Sequence, residues 1–310
     1  MKKNKVTKII VYASALAIGA SGITYTILKK NFNDYKEYLG KKDKIVNDDF
    51  LVSAHRGFSS LAIENTREAI SFAREKEYID FIEIDVRLTK DGKLILSHDN
   101  DLLVNGKHVR ISNLTYDEAT SLTFNYRDTY SNNYIFNDPE NLLIVERENN
   151  LSNQDYHLIG LLEAIELSQG KGILLDIKFD GNIEELCNEL IRELEGIDTS
   201  NIIFQSSNVE GIRYLRDHSN FDCQLLISSK ENLIYIDDFD RIGLNIYLLD
   251  SELYRELCFK NKKLALWTIN NTKDLDRVLE IVGENYKDII YITNYPDIIV
   301  TRLRERERTK

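Results

Sequence analysis

Short apolar segments alternate with polar, helix-like segments along most of the chain after residue 48. Nine of the apolar segments have the length of a β-strand: FLVSA, DFIEIDVRL, KLILSH, GILLDIK, NIIFQS, CQLLIS, GLNIYLL, KLALWTI and DIIYIT. Several are apolar throughout rather than at every second position, which is typical of parallel strands covered on both faces.

Amphipathic helices are predicted between many of these strands. In GNIEELCNELIRELEG the apolar residues recur at spacings of three and four, with Asn182 placed as the N-cap. NTREAISFA and NTKDLDRVLEIVG repeat the scheme, with Asn65 and Asn271 in the capping position. Regular alternation over this length predicts an α/β fold, either a TIM (β/α)8 barrel or a doubly wound sheet. A barrel needs eight strands, so one of the nine is expected to be peripheral.

The alternation is interrupted between residues 99 and 157. LLVNGKHV, with Asn105-Gly106 at its centre, predicts a β-hairpin, and a stretch rich in Asn, Tyr and Asp follows. So long a connection inside a compact domain is usually functional or disordered. We therefore expect residues 49–310 to form one barrel domain with an insertion at about 99–157.

The N-terminal residues differ in composition from the rest. Four lysines within residues 1–8 precede an uncharged stretch, 9–28, which two further lysines close. Twenty helical residues rise about 30 Å, so 9–28 is expected to be a transmembrane anchor with 1–8 in the cytoplasm. A cleaved secretory signal is the alternative. Both interpretations place a polar stalk, 29–48, and the barrel on the outer side of the cell membrane. If the segment is cleaved as a signal, the barrel is secreted.

Charge and cysteine content narrow the possible partners. Beyond residue 30 the chain carries 34 basic and 51 acidic residues, a net charge of −17. Such a surface repels nucleic acid, which argues against nucleic-acid binding. Cys187, Cys223 and Cys258 are widely spaced and form no CxxC pattern, so neither a disulfide framework nor a zinc site is indicated.

Carboxylates interrupt two of the apolar strands. Glu83 and Asp85 project from one face of DFIEIDVRL, where they repel each other unless a cation lies between them. Oxygen ligands suit Mg²⁺ or Ca²⁺, whereas the alternative is an exposed strand end neutralised by Arg87. Asp176 and Lys178 share a face of GILLDIKF, either as part of the same site or as a simple salt bridge.

Histidines end two other apolar strands. A lone histidine at a strand end is more often structural than catalytic, but His55 is followed by Arg56, and arginine binds phosphate in bidentate fashion. His98 ends the segment KLILSH. Because active sites of parallel barrels assemble at the carboxyl ends of the strands, these groups and the carboxylates are expected to meet there. Such a set suits metal-assisted phosphodiester cleavage with a general acid and base.

The same segments resemble a known family. AHRGFSSLAIENT, FIEIDVRLTKDGKLILSHD, LLDIK, NIIFQSS, LALWTIN and YITNYPD are similar, in order and spacing, to the glycerophosphodiester phosphodiesterase family. The likeness covers about Leu51 to Val300. It implies a TIM barrel that uses a divalent cation to hydrolyse glycerophosphodiesters to sn-glycerol 3-phosphate and an alcohol.

The resemblance also implies roles for individual residues. His55 and His98 correspond to the acid/base histidines, and Glu83, Asp85 and Asp176 to the metal ligands. Arg56 and Lys178 correspond to phosphate-binding residues, and Trp267 to an aromatic residue that lines the cleft. The implied mechanism passes through a cyclic phosphate formed by the substrate's own glycerol hydroxyl. Three positions depart from the family pattern: Asp176 replaces Glu, Ser207 an aromatic residue, and Asn294 an Asp.

Two other functions are compatible with the same fold. One is a surface protein that binds glycerophosphate polymers such as teichoic acids without cleaving them, although the complete set of histidines and ligands argues against it. The other is a related barrel phospholipase, which would want an apolar lip near the cleft. The polar insertion at 99–157 instead favours a small soluble or a polymeric polar substrate.

Overall fold

The computed structural model describes residues 29–37, 50–126, 139–151 and 154–308. The expected membrane segment, 9–28, lies outside these residues, as do the expected cytoplasmic residues 1–8 and positions 38–48 of the stalk. Within the described ranges, no helix combines the length and apolar character needed to cross a bilayer. Residues 29–37, the first part of the expected stalk, are helical.

All nine expected strands are present. The strands are, in chain order, β1 (Leu51–Ala54), β2 (Phe81–Leu88), β3 (Leu94–Leu96), β4 (Asp101–Val104), β5 (Lys107–Arg110), β6 (Phe124–Asn125), β7 (Asp155–Tyr156), β8 (Gly172–Ile177), β9 (Ile202–Ser206), β10 (Asp222–Ile227), β11 (Arg241–Asn245), β12 (Lys263–Trp267) and β13 (Ile289–Thr293). Eight of them pair in parallel in the order β1-β13-β12-β11-β10-β9-β8-β2, and β1 also pairs with β2, which closes the barrel. The peripheral strand is β3, which runs antiparallel to β2.

Helices follow most barrel strands. The helices are α1 (29–37), α2 (Arg67–Arg74), α3 (Tyr116–Ser121), α4 (Pro139–Leu151), α5 (Leu161–Leu167), α6 (Ile183–Glu193), α7 (Val209–His218), α8 (Ser251–Phe259), α9 (Thr272–Val282) and α10 (Pro296–Arg308). Asn182 and Asn271 cap α6 and α9 as predicted. The prediction for Asn65 is wrong, because the side chain of Thr66 accepts the capping hydrogen bond from the Ala69 backbone N–H.

The region between residues 99 and 157 contains several short elements. Strands β4 and β5 form the predicted hairpin around Asn105-Gly106, and β6 pairs with β7. By compactness, residues 29–37 and 139–150 belong to one unit, and the barrel with the remaining described residues to another. Within the first unit, Lys36 Nζ lies 2.8 Å from Glu146 Oε2.

The alternation of side chains along β2 places the acidic residues inside the barrel. Ile82, Ile84 and Val86 belong to the large apolar cluster that also includes residues of the surrounding helices. Glu83 and Asp85 lie between them and therefore point to the opposite face, into the barrel. Both are buried.

Candidate active site

A cavity of about 220 Å³ opens at the carboxyl ends of the barrel strands. Seven of the eight predicted site residues line it: His55, Arg56, Glu83, His98, Asp176, Lys178 and Trp267. The eighth, Asp85, is buried and forms an ion pair with Lys178. A larger cavity of about 730 Å³, lined by residues of α2 and α3 among others, contains none of the eight. The closed barrel thus brings the predicted side chains together at one rim.

Strand pairing places the three carboxylates side by side. Glu83 and Asp85 come from β2, and Asp85 is in register with Asp176 on the adjacent strand β8. One carboxylate oxygen from each lies within 4.8 Å of the others, and all three residues are buried. Hard oxygen donors at this spacing suit a divalent cation such as Ca²⁺ or Mg²⁺.

The electrostatics of the three carboxylates are consistent with such a cation. Burial, reinforced by Asp85 and Asp176, raises the pKa of Glu83 well above its ordinary value. Burial also raises the pKa of Asp176. Burial opposes ionisation of Asp85 too, but Lys178 and Arg56 outweigh it, so the pKa of Asp85 is lowered. Because two of the three ionised carboxylates are penalised, added positive charge would be favourable here, and the residues fit a divalent cation.

Lys178 bridges two of the carboxylates. Its Nζ lies 2.6 Å from Asp176 Oδ2 and 2.9 Å from Asp85 Oδ1. Although burial lowers the pKa of the ammonium group, Asp176 and Asp85 raise it above its ordinary value. The structure therefore shows the salt bridge and also places both residues in the same cavity as the other predicted groups. The phosphate-binding role of Lys178 stays a prediction.

Arg56 is fixed by acidic groups at both its backbone and its side chain. The backbone N–H donates to Glu83 Oε2 at 2.8 Å, and Nη1 lies 2.9 Å from both carboxylate oxygens of Glu64. Its Nε lies 3.4 Å from Asp85 Oδ2. Burial opposes the charge, but Glu64, Asp85 and Glu83 together raise the pKa of the guanidinium. The group therefore remains charged at the edge of the cavity.

His55 is held by a neutral partner. Its Nδ1 lies 2.6 Å from Asn294 Oδ1, and because an amide oxygen only accepts, Nδ1 carries the proton. The other ring nitrogen, Nε2, lies 3.8 Å from Glu83 Oε2. Burial, followed by the charge of Arg56, lowers the pKa of His55 to about 3. The imidazole is therefore neutral at neutral pH, with Nε2 free of its own proton.

His98 is held by a charged partner and is more accessible. Its Nδ1 lies 2.8 Å from Asp99 Oδ1, and its side chain is 34% exposed. The hydrogen bond with His98 lowers the pKa of Asp99, which keeps that carboxylate ionised. Arg87 donates from Nε to the carbonyl oxygen of His98 at 3.0 Å and forms its ion pair with Asp180. Neutralisation of Glu83 and Asp85 by an Arg87 ion pair, the alternative interpretation of β2, is therefore not observed.

Trp267 and Ser207 line the same cavity. The indole Nε1 of Trp267 is buried and makes no hydrogen bond to any described residue. Ser207 is exposed and offers a hydroxyl where the family pattern has an aromatic residue. The wall of the cavity therefore combines one large aromatic surface with small polar groups.

Sequence reasoning missed the residues that hold the site residues in place. Asn294 was noticed only as a departure from an expected Asp, and its contact with His55 was not foreseen. Glu64 belongs to the Glu64-Asn65-Thr66 (ENT) end of the segment AHRGFSSLAIENT, and it pairs with Arg56. Asn65 was interpreted as a helix cap, whereas its side chain contacts Asp85. The ENT motif was the available signal, but its partners depend on the tertiary fold.

Comparison with known proteins identifies the family. A sequence model of the glycerophosphoryl diester phosphodiesterase family matches residues 55–284, about three quarters of the chain. The chain belongs to this family. It is therefore a phosphoric diester hydrolase of the glycerophosphodiester phosphodiesterase type, and the family resemblance of its motifs is confirmed.

Individual relatives agree with the family assignment. A glycerophosphodiester phosphodiesterase of Arabidopsis thaliana is 25% identical over 236 residues, covering 74% of this chain and 68% of the relative. A phosphodiesterase from Oleispira antarctica, solved in complex with the product sn-glycerol-3-phosphate, superposes with a TM-score of 0.63 at 22% identity, over 82% of this chain and 96% of the other. A glycerophosphodiester phosphodiesterase from Thermotoga maritima gives a TM-score of 0.58 at 21% identity, over 82% and 99%. At these identities the two structures support the fold alone.

Proposed function

We propose that this family member hydrolyses glycerophosphodiesters to sn-glycerol 3-phosphate and an alcohol in a reaction that requires a divalent cation. The observation that carries the proposal is one cavity in which two imidazoles adjoin three buried carboxylates. The substrate is a small soluble diester or a glycerophosphate polymer, since the cavity wall offers Ser207 and Ser228 rather than a wide apolar surface.

The contacts of the two histidines divide the acid and base roles between them. His55 has a neutral hydrogen-bond partner and a free Nε2, which suits a general base. His98 Nδ1 lies 2.8 Å from the Asp99 carboxylate and its side chain is partly accessible, a geometry that suits a general acid facing the leaving group. These roles need opposite protonation states at the start of the reaction, and the lowered pKa of His55 favours the neutral state that a base requires.

The reaction then proceeds in two balanced steps. In the first, His55 Nε2 takes the proton of the glycerol hydroxyl next to the phosphodiester, and that oxygen attacks phosphorus. The bond to the alcohol breaks, and the alcohol leaves with a proton from His98, so a cyclic phosphate remains. In the second step the roles reverse: His98 accepts a proton from water, the water oxygen attacks phosphorus, and His55 protonates the glycerol oxygen that leaves. Both histidines return to their starting states.

The remaining predicted residues would bind and neutralise the phosphate. Glu83, Asp85 and Asp176 would hold Ca²⁺ or Mg²⁺, which when bound would offset the negative charge of the phosphoryl oxygens. Arg56 and Lys178 would add fixed positive charge on the same side. Trp267 would line the cleft and pack against the substrate.

Purified protein tests the proposal directly. Release of sn-glycerol 3-phosphate from glycerophosphocholine, other small diesters and a glycerophosphate polymer is measured with and without a chelator. We expect turnover that the chelator abolishes and added Ca²⁺ or Mg²⁺ restores. His55→Ala and His98→Ala should each lower kcat by roughly two to four orders of magnitude with the fold retained. Binding of a diester without turnover of any member of the panel would refute the proposal.

We further propose that residues 9–28 attach the chain to a membrane, with residues 49–310 as the catalytic domain outside. The support is the uncharged length of this segment and the lysines before it. Fractionation of cells that express the full chain or residues 29–310 tests it. The full chain should sediment with membranes and be degraded by external protease, and the shorter chain should do neither. Recovery of the full chain in the soluble cytoplasmic fraction would contradict the proposal.

A further inference from the structure

Asn65 is buried next to the carboxylates and does not cap a helix. It is 2% exposed, and its backbone is left-handed, with φ +57°. Its Nδ2 donates to Asp85 Oδ2 at 2.8 Å, and its Oδ1 accepts the backbone N–H of Asp85 at 2.9 Å. One amide side chain thus contacts both the carboxylate and the backbone of the same residue.

This double contact restricts the Asp85 carboxylate. A carboxylate on a fixed backbone can still rotate about its last bond, and the Nδ2 donor opposes that rotation on the Oδ2 side. Lys178 contacts Oδ1 from the other side at 2.9 Å. The backbone N–H of Asn65 also donates to the carbonyl oxygen of Arg56 at 2.9 Å, which ties the turn after β1 to the same point.

The chemical type of the donor matters as much as its position. A lysine or arginine in place of Asn65 would hold the carboxylate equally well but would repel a cation. An amide supplies the hydrogen bond without net charge, so it orients Asp85 without adding to the positive charge of Arg56, whose Nε lies 3.4 Å from the same oxygen. The left-handed backbone favours Asn at such a position, since Asn tolerates positive φ better than most side chains.

We infer that Asn65 is a positioning residue that orients Asp85 as a ligand for the divalent cation. The inference rests on the proposed cation site. Loss of partners that orient metal ligands typically costs roughly ten- to a hundredfold in metal affinity. Mg²⁺ demands near-ideal octahedral geometry, whereas Ca²⁺ tolerates irregular geometry, so a misplaced carboxylate should weaken Mg²⁺ binding more than Ca²⁺ binding.

Two substitutions and one matched control test the role in the full 310-residue chain. Asn65→Gly permits the left-handed backbone and removes the amide. Asn65→Asp keeps the size of the side chain and the oxygen that accepts the Asp85 N–H, but it replaces the Nδ2 donor with a second oxygen. This variant provides the test if Asn65→Gly does not fold. The control is Asn261→Gly, at an exposed asparagine with φ +53° that precedes β12 at the opposite end of the barrel. Dissociation constants for Ca²⁺ and Mg²⁺ are measured by titration calorimetry, together with thermal midpoints in chelator.

The outcomes separate the inference from the proposal on which it rests. We expect Asn65→Gly to raise the cation Kd by roughly ten- to a hundredfold, and both variants to raise the ratio of the Mg²⁺ to the Ca²⁺ constant. Asn261→Gly should change neither. Unchanged constants with a lowered thermal midpoint would reduce Asn65 to a structural role and overturn the inference alone. Absence of cation binding by the unchanged chain would overturn the cation site as well.

Discussion

His55 and His98 differ in the groups that contact their Nδ1 atoms, and this difference is set by single residues. An amide oxygen fixes the tautomer of His55 without stabilising its charged form, and burial then favours the neutral ring. A carboxylate contacts His98 in a more accessible position. The two imidazoles, which follow β1 and β3, therefore lie in different environments.

Asn294→Asp should move the acidic limb of the pH–rate profile to higher pH. A carboxylate 2.6 Å from Nδ1 would stabilise the imidazolium of His55 and raise its pKa. A base with a higher pKa is protonated, and so inactive, at higher pH. We expect the acidic limb of kcat/KM to move upward by about one pH unit or more.

The matched substitution Asp99→Asn separates this effect from a general change of charge. It removes the carboxylate that contacts His98. The acidic limb of kcat/KM should then stay at the same pH as in the unchanged chain. An acidic limb that stays in place in Asn294→Asp, or that moves to lower pH, would contradict the assignment of His55 as the base.

Residue type and strand position were enough to predict the histidines, the carboxylates and Arg56 as neighbours. All but His98 lie on parallel barrel strands or just after them, and the carboxyl ends of such strands converge in any closed barrel. His98 instead follows the antiparallel strand β3, so the expectation that it ends a parallel strand is wrong although it reaches the same cavity. Asn65 and Asn294 could not be predicted in the same way. Their partners, Asp85 and His55, come from distant segments, and a left-handed turn residue and a residue after the last strand carry no periodic signal.

At the scale of elements, the turn after β1 depends on close packing against α2. Gly57 has φ +79°, and a Cβ at this position would lie 2.7 Å from the backbone carbonyl carbon of Ala69. The contact that requires a glycine is with the helix, which holds the His55-Arg56 pair in place from behind.

Gly57→Ala should therefore destabilise the fold more than its backbone conformation alone would explain. Gly170→Ala is the matched control, because Gly170 has φ +85° and nothing within 4 Å of a built Cβ. The left-handed backbone should cost about 1–2 kcal/mol in either variant. The contact with Ala69 should add about 1–3 kcal/mol to the loss in Gly57→Ala.

Urea denaturation of both variants gives the two free energies of unfolding for comparison. The variants share the backbone penalty, so their difference reports the packing against α2. Equal losses would show that the turn and the helix separate at little cost, and that Gly57 is needed only for its conformation.

The barrel elements and the hairpin of β4 and β5 were predictable, whereas the rest of the insertion was not, for a physical reason. Short, largely apolar strands and amphipathic helices have strong local patterns. The elements between residues 99 and 157 are short, and β6 and β7 are two residues each. Strands β6 and β7 pair across about thirty residues of chain, with Phe124 opposite Tyr156. Their pairing therefore depends on the fold rather than on local sequence.

At the scale of the whole molecule, the carboxylate cluster links cation binding to folding. Raised pKa values of Glu83 and Asp176 mean that their ionised forms are less stable in the folded than in the unfolded chain. Their contribution to stability is present at pH values below their ordinary pKa values of 4.5 and 3.8, and is lost as the pH rises through the folded values. Asp85 behaves oppositely, because its lowered pKa contributes stability that is lost only at strongly acidic pH.

A divalent cation should therefore stabilise the barrel, and more so at pH 8 than at pH 5. In chelator, the contribution of Glu83 and Asp176 makes the free energy of unfolding fall between these two pH values. A cation that binds only the folded chain adds about 2.7 kcal/mol at a hundred times its Kd. Protons compete with the cation for the same oxygens, so the gain is smaller at the lower pH.

Denaturant unfolding at both pH values, with and without Ca²⁺ or Mg²⁺, measures the four free energies. The double variant Glu83→Gln, Asp176→Asn should lose both the fall with pH in chelator and the gain from the cation. A cation effect of equal size in that variant would place the bound ion elsewhere on this acidic protein.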